Sequence, residues 1–455
     1  MDPVGGNQPI YNETGDVAIV ANGEIYNFPT LRKDLEQRHT LRTGNDSESI
    51  LHLYEEAGDR SAERLDGMFA FATANGRDVY LARDPIGIKP LYMGDYKKGV
   101  IFASELKALA GVSCNVREFP AGTWYHSGVG FERFYDVPDR RPVSRTVEEH
   151  CHAVRSTLED AVCKRLMSDV PLGAFLSGGL DSSIICAIVR QHVDELHTFS
   201  VGLEGSRDLQ AARLVSRHLD TIHHEYILTE EEIREKLPEI VYHLESYDQD
   251  LVRSAIPCFF TSRLAAQYVK VILTGEGADE LFAGYTYYRD VTDPEALHRE
   301  LRRSVRSLHN VNLQRVDRLT MAHSLEGRVP FLDTELIELA QTVPADLKLR
   351  EMSDGQLIEK WILRKACEDL LPSEIVWRDK EQFDEGSGTV DLVSTGFEQV
   401  VSPEESAAYA AGYSDAQLRS AEECAYHKLL SDAYGGSEVV LGNVARWSHR
   451  EEVDA

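Results

Sequence analysis

Short apolar runs separated by polar turns dominate the chain up to about Asp136, and they predict a β-rich segment with short helices. The predicted strands are Val17–Ala21, Phe69–Ala72 and Val79–Ala82. The last two flank Asn75-Gly76, a dipeptide that favours a tight turn, so we expect them to pair as a hairpin. Glu48–Glu56 and Glu105–Leu109 fit short helices.

Beyond Asp139–Pro142, whose composition is typical of a linker, the pattern changes. Apolar runs short enough for buried strands alternate with helical stretches, and this alternation indicates a parallel α/β sheet. The predicted strands are Gly173–Leu176, His197–Val201 and Val269–Thr274. From about Asp293 the pattern is mainly helical. The sequence therefore predicts two domains, residues 1–138 and residues 139–455.

The segment Leu176–Ser183, Leu-Ser-Gly-Gly-Leu-Asp-Ser-Ser, carries the strongest chemical signal. It follows a predicted strand and precedes an apolar, helix-compatible run, so backbone N–H groups at a helix N-terminus would face an anion. The glycines let the backbone close around a phosphate, and the hydroxyl groups add donors. These phosphate-binding candidates are Ser177, Gly178, Gly179, Ser182 and Ser183. Asp181 would repel a phosphate unless it holds a divalent cation such as Mg²⁺.

This loop lacks the Gly-Lys-Ser/Thr of a P-loop and the spacing of Gly-x-Gly-x-x-Gly, so neither common nucleotide motif applies. A polar turn without a ligand is the alternative. The loop resembles instead the pyrophosphate-binding loop of enzymes that split ATP between its α and β phosphates. Argininosuccinate, GMP and NAD synthetases share that loop, so it does not select a substrate.

Further polar segments fall where an open α/β sheet binds its ligands. Thr198–Leu203 ends the second predicted strand, and Val201 could border an adenine. Thr274–Glu280, Thr-Gly-Glu-Gly-Ala-Asp-Glu, ends a later strand and brings two glycines and three carboxylates to the same edge. Lys380 and Arg328 offer cations, although either one alone is more often a surface charge.

In this combination the chain resembles the glutamine-dependent asparagine synthetases, from about Gln8 to about Trp447. Four motifs stand in the family's order: Ser-Gly-Gly-Leu-Asp-Ser-Ser, Gly-Glu-Gly-Ala-Asp-Glu, Arg-Val-Pro-Phe-Leu-Asp and Lys-Glu-Gln-Phe. The segments that look like the family's glutaminase domain are Asn22–Asn27, Thr43–Glu48, Gly67–Phe71 and Arg83–Tyr92. The resemblance implies an αββα sandwich, incomplete at its N-terminus, followed by an α/β parallel-sheet ATP-pyrophosphatase domain with a helical C-terminal part.

The resemblance also implies an ATP-dependent amidation of L-aspartate through β-aspartyl-AMP, and it implies roles for residues of the second domain. The loop would bind pyrophosphate, with Asp181 on Mg²⁺ and Asp279 as a second metal or substrate contact. The residues expected to line the adenylate are Phe175, Val201, Thr274 and Gly275. Glu276 would assist the attack of ammonia, which must lose protons as the C–N bond forms. Lys380 would neutralise the separating phosphates.

In the first domain the resemblance implies a glutamine site. Asn22 and Gly23 would form the oxyanion hole that donates hydrogen bonds to a tetrahedral intermediate. Gly23, Glu24 and Asp46 would hold glutamine, with the Asp46 carboxylate against its α-ammonium group.

One departure concerns the nucleophile. Class II amidotransferases use an N-terminal cysteine whose own α-amine is the base, whereas this sequence begins Met1-Asp2 and has its first cysteine at Cys114. We expect a natural start upstream of Met1, and the alternative is a relic domain. Glutamine would then be the nitrogen donor of the longer protein, and ammonia would be the nitrogen donor for the chain as written.

Charge and composition limit the classes of molecule that the protein is expected to bind. The net charge of −28 opposes nucleic-acid binding, and acids spread along a chain with only 13 lysines predict adaptation to high salt; an ordinary acidic enzyme is the alternative. No apolar run reaches the length of a membrane span. Seven scattered cysteines indicate reduced thiols in the cytoplasm. The expected partners are aspartate, ATP and glutamine or ammonia, without nucleic acid or membrane; a homodimer is a further possibility.

Two other functions stay open. One is a related ligase, similar to the β-lactam synthetases, that activates another carboxylate. The other is a nucleotide-binding homologue without catalysis. The intact set of Asp181, Glu276 and Lys380 argues against the second, and Gly275–Glu280 with Lys380–Phe383 argues against the first.

Overall fold

The computed structural model of the chain describes residues 5–378, 386–388 and 402–447. Strands in the first part are β1 Ile10–Tyr11, β2 Ala18–Ile25, β3 Gly67–Ala74, β4 Val79–Arg83, β5 Tyr92–Tyr96, β6 Gly99–Ala103, β7 Arg117–Glu118, β8 Thr123–His126 and β9 Gly130–Arg133. They form two antiparallel sheets, with the orders β1-β2-β3-β4-β8-β9 and β6-β5-β7. The predicted hairpin is confirmed, since β3 and β4 pair with Ala74 opposite Val79.

Two helices, α1 Phe28–Leu35 and α2 Ser47–Ala57, cover one face of the larger sheet. Short 3-10 helices occupy Gly58–Arg64 and Leu106–Ala108. The helix predicted at Glu105–Leu109 is therefore only one 3-10 turn, because so short a segment makes too few hydrogen bonds to offset helix nucleation.

Strand β3 shows how the first part is layered. Its side chains alternate, so Phe69 and Phe71 pack under α1 and α2, whereas Ala70 and Ala72 face the smaller sheet. Among the described residues, no α-helix of the first part covers the outer face of the smaller sheet. Ile101 packs there against an apolar cluster that belongs largely to later helices. Two stacked antiparallel sheets with helices over one outer face agree with the incomplete αββα sandwich that the resemblance implies.

The second part is built on a parallel sheet. Its strands are β10 Leu172–Phe175, β11 His197–Gly202, β12 Ile222–Ile227, β13 Val271–Leu273 and β14 Glu326–Arg328, in the order β12-β11-β10-β13-β14. Every neighbouring pair is parallel, as the alternating pattern predicts. The chain begins in the middle, builds outward to β12, and then returns to place β13 beside β10. The strand order therefore reverses between β10 and β13, which is where open α/β sheets bind ligands.

Helices surround this sheet. They are α3 Val147–Lys164, α4 Leu180–Arg190, α5 Arg207–Leu219, α6 Glu230–Leu244, α7 Gln249–Ala265 and α8 Ala278–Phe282. The later helices are α9 Pro294–Arg306, α10 Asn312–Met321, α11 Thr334–Thr342, α12 Ala345–Lys348, α13 Trp361–Ala366, α14 Ser373–Val376, α15 Pro403–Gly412, α16 Ala421–Ala433 and α17 Glu438–Leu441. Short 3-10 helices lie at Thr286–Asp290, Leu308–Asn310, Pro330–Leu332 and Ser414–Ala416, and β15 Arg350–Glu351 pairs with β16 Leu357–Ile358. Strand β14 interrupts the region that the sequence predicts as mainly helical.

Buried polar contacts join the two parts of the chain. The Lys89 ammonium donates to Asp317 at 2.8 Å, and the Arg318 guanidinium donates to the Tyr92 hydroxyl at 2.7 Å. The Glu245 carboxylate accepts two backbone N–H groups from the 3-10 turn after β6. Charged groups are stable out of water only when they are paired in this way, so these contacts require the two parts to stay packed together.

Across the described residues, every helix is too short or too polar to cross a membrane.

Candidate functional site

The loop between β10 and α4 has a backbone that only glycine allows at position 178. Gly178 has a φ of +77°, and a Cβ atom there would lie 2.5 Å from both the side chain of Ala211 and the backbone nitrogen of Ala212. Gly179 is the N-cap residue of α4. The hydroxyl groups of Ser177 and Ser182 lie 3.0 Å apart across the loop. The loop is therefore closed and lined with donors at a helix N-terminus, as its sequence predicts.

The loop that follows β13 lies directly against it. A Cβ atom on Gly275 would lie 2.9 Å from the Asp181 side chain and from the backbone nitrogen of Ser182. Gly277 has a φ of +97°, and a Cβ atom there would lie 2.5 Å from Leu332. The glycines in this second loop thus allow it to approach the first, which brings its carboxylates beside Asp181.

Most of the residues predicted to bind ATP line one cavity of about 440 Å³, at the place where these two loops meet. The predicted residues in its lining are Phe175, Ser177, Gly179, Asp181, Ser182, Val201, Thr274, Gly275, Glu276 and Asp279. Two predicted residues are not among them. Ser183 is fully buried in α4, and Gly178 presents its backbone carbonyl to the Arg378 guanidinium at 3.3 Å. The structure thus brings the predicted residues of both loops and the end of β11 together.

A lysine that sequence analysis missed links the two predicted metal-binding carboxylates. The Lys360 ammonium lies 2.5 Å from Asp181 and 2.6 Å from Asp279, and its side chain is only 2% exposed. Lys360 precedes α13 with a φ of +55°. A Cβ atom on Gly284 would lie 1.9 Å from the Asp279 carboxylate and 2.2 Å from the Lys360 side chain, so glycine is required beside this pair.

Glu276 also has a partner that the sequence did not indicate. The Arg315 guanidinium, from α10, donates a hydrogen bond to the Glu276 carboxylate. The Arg315 side chain is 8% exposed and Glu276 is 23% exposed, and both line the cavity. The guanidinium presents several N–H donors in a fixed planar arrangement, so this contact fixes the orientation of the Glu276 carboxylate.

Glu280 adds a third carboxylate behind the cavity wall. Its burial, together with the nearby charge of Asp279, raises the pKa of Glu280 to about 7. The Tyr285 hydroxyl donates to it at 2.6 Å, and the Asn312 amide donates at 3.3 Å. The cavity itself is lined by both carboxylates and basic side chains, so it can contact phosphate oxygens as well as a cation.

The remaining predicted cations are placed differently. Arg378, which the sequence analysis did not single out, contacts the phosphate loop and also pairs with Asp208 at 3.0 Å; both residues line the cavity. Arg328 does not line it, because its guanidinium is buried and donates to the backbone carbonyls of Arg165 and Met167 at 2.6 Å. Lys380 lies outside the described residues, so its predicted role stays a prediction.

The four glutamine-binding candidates line a second cavity, of about 500 Å³. These are Asn22, Gly23, Glu24 and Asp46. Asn22 and Gly23 lie in β2, opposite Ala70 and Phe69 of β3. Gly23 has a φ of +149°, and a Cβ atom there would lie 2.0 Å from the Met68 carbonyl oxygen, so no other residue fits this strand position.

Charge in the second cavity comes from both parts of the chain. The Asp46 carboxylate accepts the backbone N–H of Ile25 at 2.7 Å. Burial raises the pKa of Glu24 to about 8, with the carboxylates of Asp46 and Glu326 adding to the effect and Arg328 opposing it. The Arg328 guanidinium lies 3.5 Å from Glu24. The cavity therefore lies between the two parts and depends on residues of each.

The seven cysteines are all free thiols. Cys114 is exposed and is not among the residues that line the second cavity, so it is not placed to act as a nucleophile there.

Comparison with known proteins gives two family matches. The model described as asparagine synthase matches residues 153–294 and 289–428, and the model described as a glutamine amidotransferase domain matches residues 1–111. A protein of Dictyostelium discoideum named probable asparagine synthetase [glutamine-hydrolyzing] is 39% identical over 97% of this chain and 86% of its own length. Asparagine synthetase [glutamine-hydrolyzing] 3 of Arabidopsis thaliana is 42% identical over 85% of this chain and 70% of its own.

Likeness to solved structures is weaker. A glutamine phosphoribosylpyrophosphate amidotransferase from B. subtilis is 22% identical and matches with a TM-score of 0.25, over 44% of this chain and 49% of the other. An NMN synthetase from Francisella tularensis is 13% identical with a TM-score of 0.28, over 66% and 97%. At these scores neither structure bears on the assignment.

Proposed function

The chain belongs to the asparagine synthase family, and we propose that it catalyses the ATP-dependent amidation of L-aspartate through a β-aspartyl adenylate, releasing AMP and pyrophosphate. The observation that supports an adenylate intermediate is the cavity at the point where the strand order reverses. There a closed phosphate loop meets a carboxylate-rich loop, with cations between them. A site that separates pyrophosphate from an acyl adenylate needs both anion donors and fixed positive charge.

In this proposal the ATP phosphates bind the Ser177–Ser183 loop. The hydroxyl groups of Ser177 and Ser182 and the N-terminus of α4 donate to the pyrophosphate end. Phe175, Val201, Thr274 and Gly275 line the adenylate end of the same cavity.

Mg²⁺ fits the donor set at this site. One oxygen of Asp181, Oδ1, is buried and makes no hydrogen bond with any described residue, and Asp279 lies across Lys360 from it. Carboxylate oxygens beside phosphates are the ligands that Mg²⁺ takes. Asp181 and Asp279 would hold the ion, which would neutralise charge on the phosphates. Lys360 keeps these two carboxylates together and supplies a positive charge of its own.

Glu276 is proposed to accept a proton during amide formation. Ammonia attacks the acyl carbon of the adenylate, the C–N bond forms, and the C–O bond to AMP breaks with its electron pair leaving on AMP. The nitrogen must release one proton, for which the Glu276 carboxylate at the cavity wall is the acceptor. The Arg315 guanidinium fixes that carboxylate in place.

The second cavity is proposed to bind the glutamine that supplies nitrogen. Asn22 and Gly23 would polarise the side-chain amide, and Glu24 and Asp46 would hold the α-amino acid end. The names of the relatives and the match to a glutamine amidotransferase domain support this assignment. The division into residues 1–138 and 139–455 is part of the same proposal.

Some finer properties rest on composition alone. We keep as proposals a cytoplasmic location, which the free thiols support, and adaptation to high salt, which the net charge of −28 supports. A homodimer is proposed without a particular surface.

The test uses ammonium as nitrogen donor, which separates the synthetase reaction from glutamine hydrolysis. With ATP, Mg²⁺, aspartate and ammonium, the protein should form asparagine, AMP and pyrophosphate in equal amounts. Pyrophosphate should also exchange into ATP when aspartate is present and ammonium is absent. Exchange driven by another carboxylate but not by aspartate, or release of ADP and phosphate, would refute the proposal.

A further inference from the structure

A cluster of metal-binding side chains lies in the first part of the chain, apart from both cavities. It comprises Glu13, His39, His52 and Glu55, each offering one ligand atom, and these four atoms all lie within 4.8 Å of one another. None of the four lines either cavity described above. They come from three separate segments: the turn between β1 and β2, the turn after α1, and helix α2.

The distances between these atoms fit one small cation. His52 Nδ1 lies 2.8 Å from Glu55 Oε2 and 3.6 Å from Glu13 Oε2, while His39 Nδ1 lies 3.7 Å from Glu55 Oε2 and 3.4 Å from the other Glu13 oxygen, Oε1. In a tetrahedral site with bonds of about 2.0–2.1 Å, neighbouring ligand atoms stand about 3.3–3.4 Å apart. The same nitrogen of each imidazole, Nδ1, points into the cluster, so both rings present a ligand atom to a common centre.

The far side of each imidazole faces a further carboxylate. His39 Nε2 lies 3.4 Å from Glu56, and His52 Nε2 lies 3.7 Å from Glu48. A histidine that binds a metal uses its second nitrogen to donate to such a group, which fixes the tautomer and the ring orientation. A carboxylate faces the second nitrogen of both rings here, although the one behind His52 lies beyond hydrogen-bond distance, and the rings are stacked with their centroids 4.6 Å apart.

Hydrogen bonds also fix the positions of the ligand carboxylates. The Asn12 amide donates to Glu55 Oε1 at 2.7 Å, and the backbone N–H of Thr40 donates to Glu13 Oε1 at 2.8 Å. These contacts leave Glu13 Oε2 and Glu55 Oε2 facing the His52 ring. The His52 side chain is fully buried, while the Glu13 side chain is 30% exposed, so the cluster has a fixed inner wall and an open side through which an ion can enter.

We propose that Glu13, His39, His52 and Glu55 bind one Zn²⁺ ion. Two imidazole nitrogens with two carboxylate oxygens form a donor set that favours zinc over Mg²⁺ or Ca²⁺, which take mainly oxygen ligands. The ion ties the β1–β2 turn to helices α1 and α2 at the edge of the larger sheet. Its role is structural, since four protein ligands complete a tetrahedral site.

The test measures zinc directly. After dialysis against zinc and then against buffer, wild-type protein should retain one zinc per chain by mass spectrometry, and Co²⁺ should give the visible absorption of a tetrahedral site. His39→Gln should bind at least a hundredfold more weakly and lose the Co²⁺ spectrum. The matched control is His152→Gln, which changes an exposed histidine on α3 and should bind as wild type does.

A variant that keeps all four ligands separates metal binding from folding. Glu56→Gln changes the carboxylate behind His39, which also accepts hydrogen bonds from Arg38, and should weaken zinc binding by about 10–100-fold. Zinc should also raise the Tm of the wild type and leave that of His39→Gln unchanged. Absence of stoichiometric zinc in the wild type, or equal binding by His39→Gln and His152→Gln, would overturn the proposal. Because no readout is asparagine formation, these results are independent of the proposed reaction.

Discussion

Replacing Lys360 with methionine should destabilise the protein measurably. The ammonium lies 2.5 and 2.6 Å from two carboxylates and is 2% exposed. At an effective dielectric constant near 20, each contact corresponds to roughly 6 kcal/mol of gross attraction. Desolvation of the ammonium and repulsion between the carboxylates offset most of it. Removing one partner of a buried pair generally costs about 3–5 kcal/mol, and we expect a loss of that size for Lys360→Met.

The assay is thermal unfolding without Mg²⁺, followed by circular dichroism. An unfolding entropy of about 2 cal/mol/K per residue gives a fall in Tm of about 3–5 °C if the chain unfolds as one unit. Lys365→Met is the matched control, because Lys365 lies on α13, the helix that Lys360 precedes, and its ion pair among the described residues is with the exposed residue Glu368. Its effect should stay within about 0.5 kcal/mol. Mg²⁺ should restore part of the loss in Lys360→Met alone. Equal Tm values for the two variants would show that the buried Lys360 contacts do not stabilise the fold.

Three other changes test the sites. Glu276→Gln should lower asparagine formation from ammonium by about 10²–10⁴-fold while aspartate-dependent pyrophosphate exchange stays normal, and a wild-type rate would remove Glu276 from the mechanism. Asp181→Asn should lower that exchange at least tenfold, with a smaller fall in Tm than Lys360→Met because Lys360 keeps Asp279 as a partner, and unchanged exchange would contradict the metal assignment. Burial raises the pKa of Glu24 from 4.5 to about 8, so the folded state keeps a proton that the unfolded state releases, and stability falls as pH rises between these values. Glu24→Gln should flatten this dependence in urea unfolding at pH 5, 6.5 and 8, and an unchanged slope would show that Glu24 is not its source.

The sequence predicts most of the residues that come together in the first cavity, because these residues follow strands directly. Parallel strands end at one edge of a sheet, so the loops after β10 and β13 meet wherever those strands are neighbours, and Asp181 and Asp279 approach each other as a result. The glycines that allow this approach can be identified directly from the sequence. The same reasoning predicts Val201 at the end of β11.

The partners of these carboxylates could not be predicted. Lys360 and Arg315 lie far along the chain from Asp181 and Glu276, on helices whose orientation depends on tertiary packing. Each sits in a segment that carries no motif, and a lone basic residue is usually at the surface. The short strand β14 was missed for a related reason, since three residues are too few for a period to show. The histidine and glutamate cluster is likewise assembled from three segments.

The fate of one oxygen atom tests most directly whether the reaction passes through an adenylate intermediate. With L-aspartate labelled with ¹⁸O in its β-carboxylate, plus ATP, Mg²⁺ and ammonium, an adenylate mechanism places one labelled oxygen in the phosphate of AMP. It does so because that oxygen bonds to the α-phosphorus in the adenylate and leaves with AMP when nitrogen attacks. Mass spectrometry of AMP and asparagine should therefore find one labelled oxygen in each product. Formation of asparagine with wholly unlabelled AMP would contradict an adenylate intermediate.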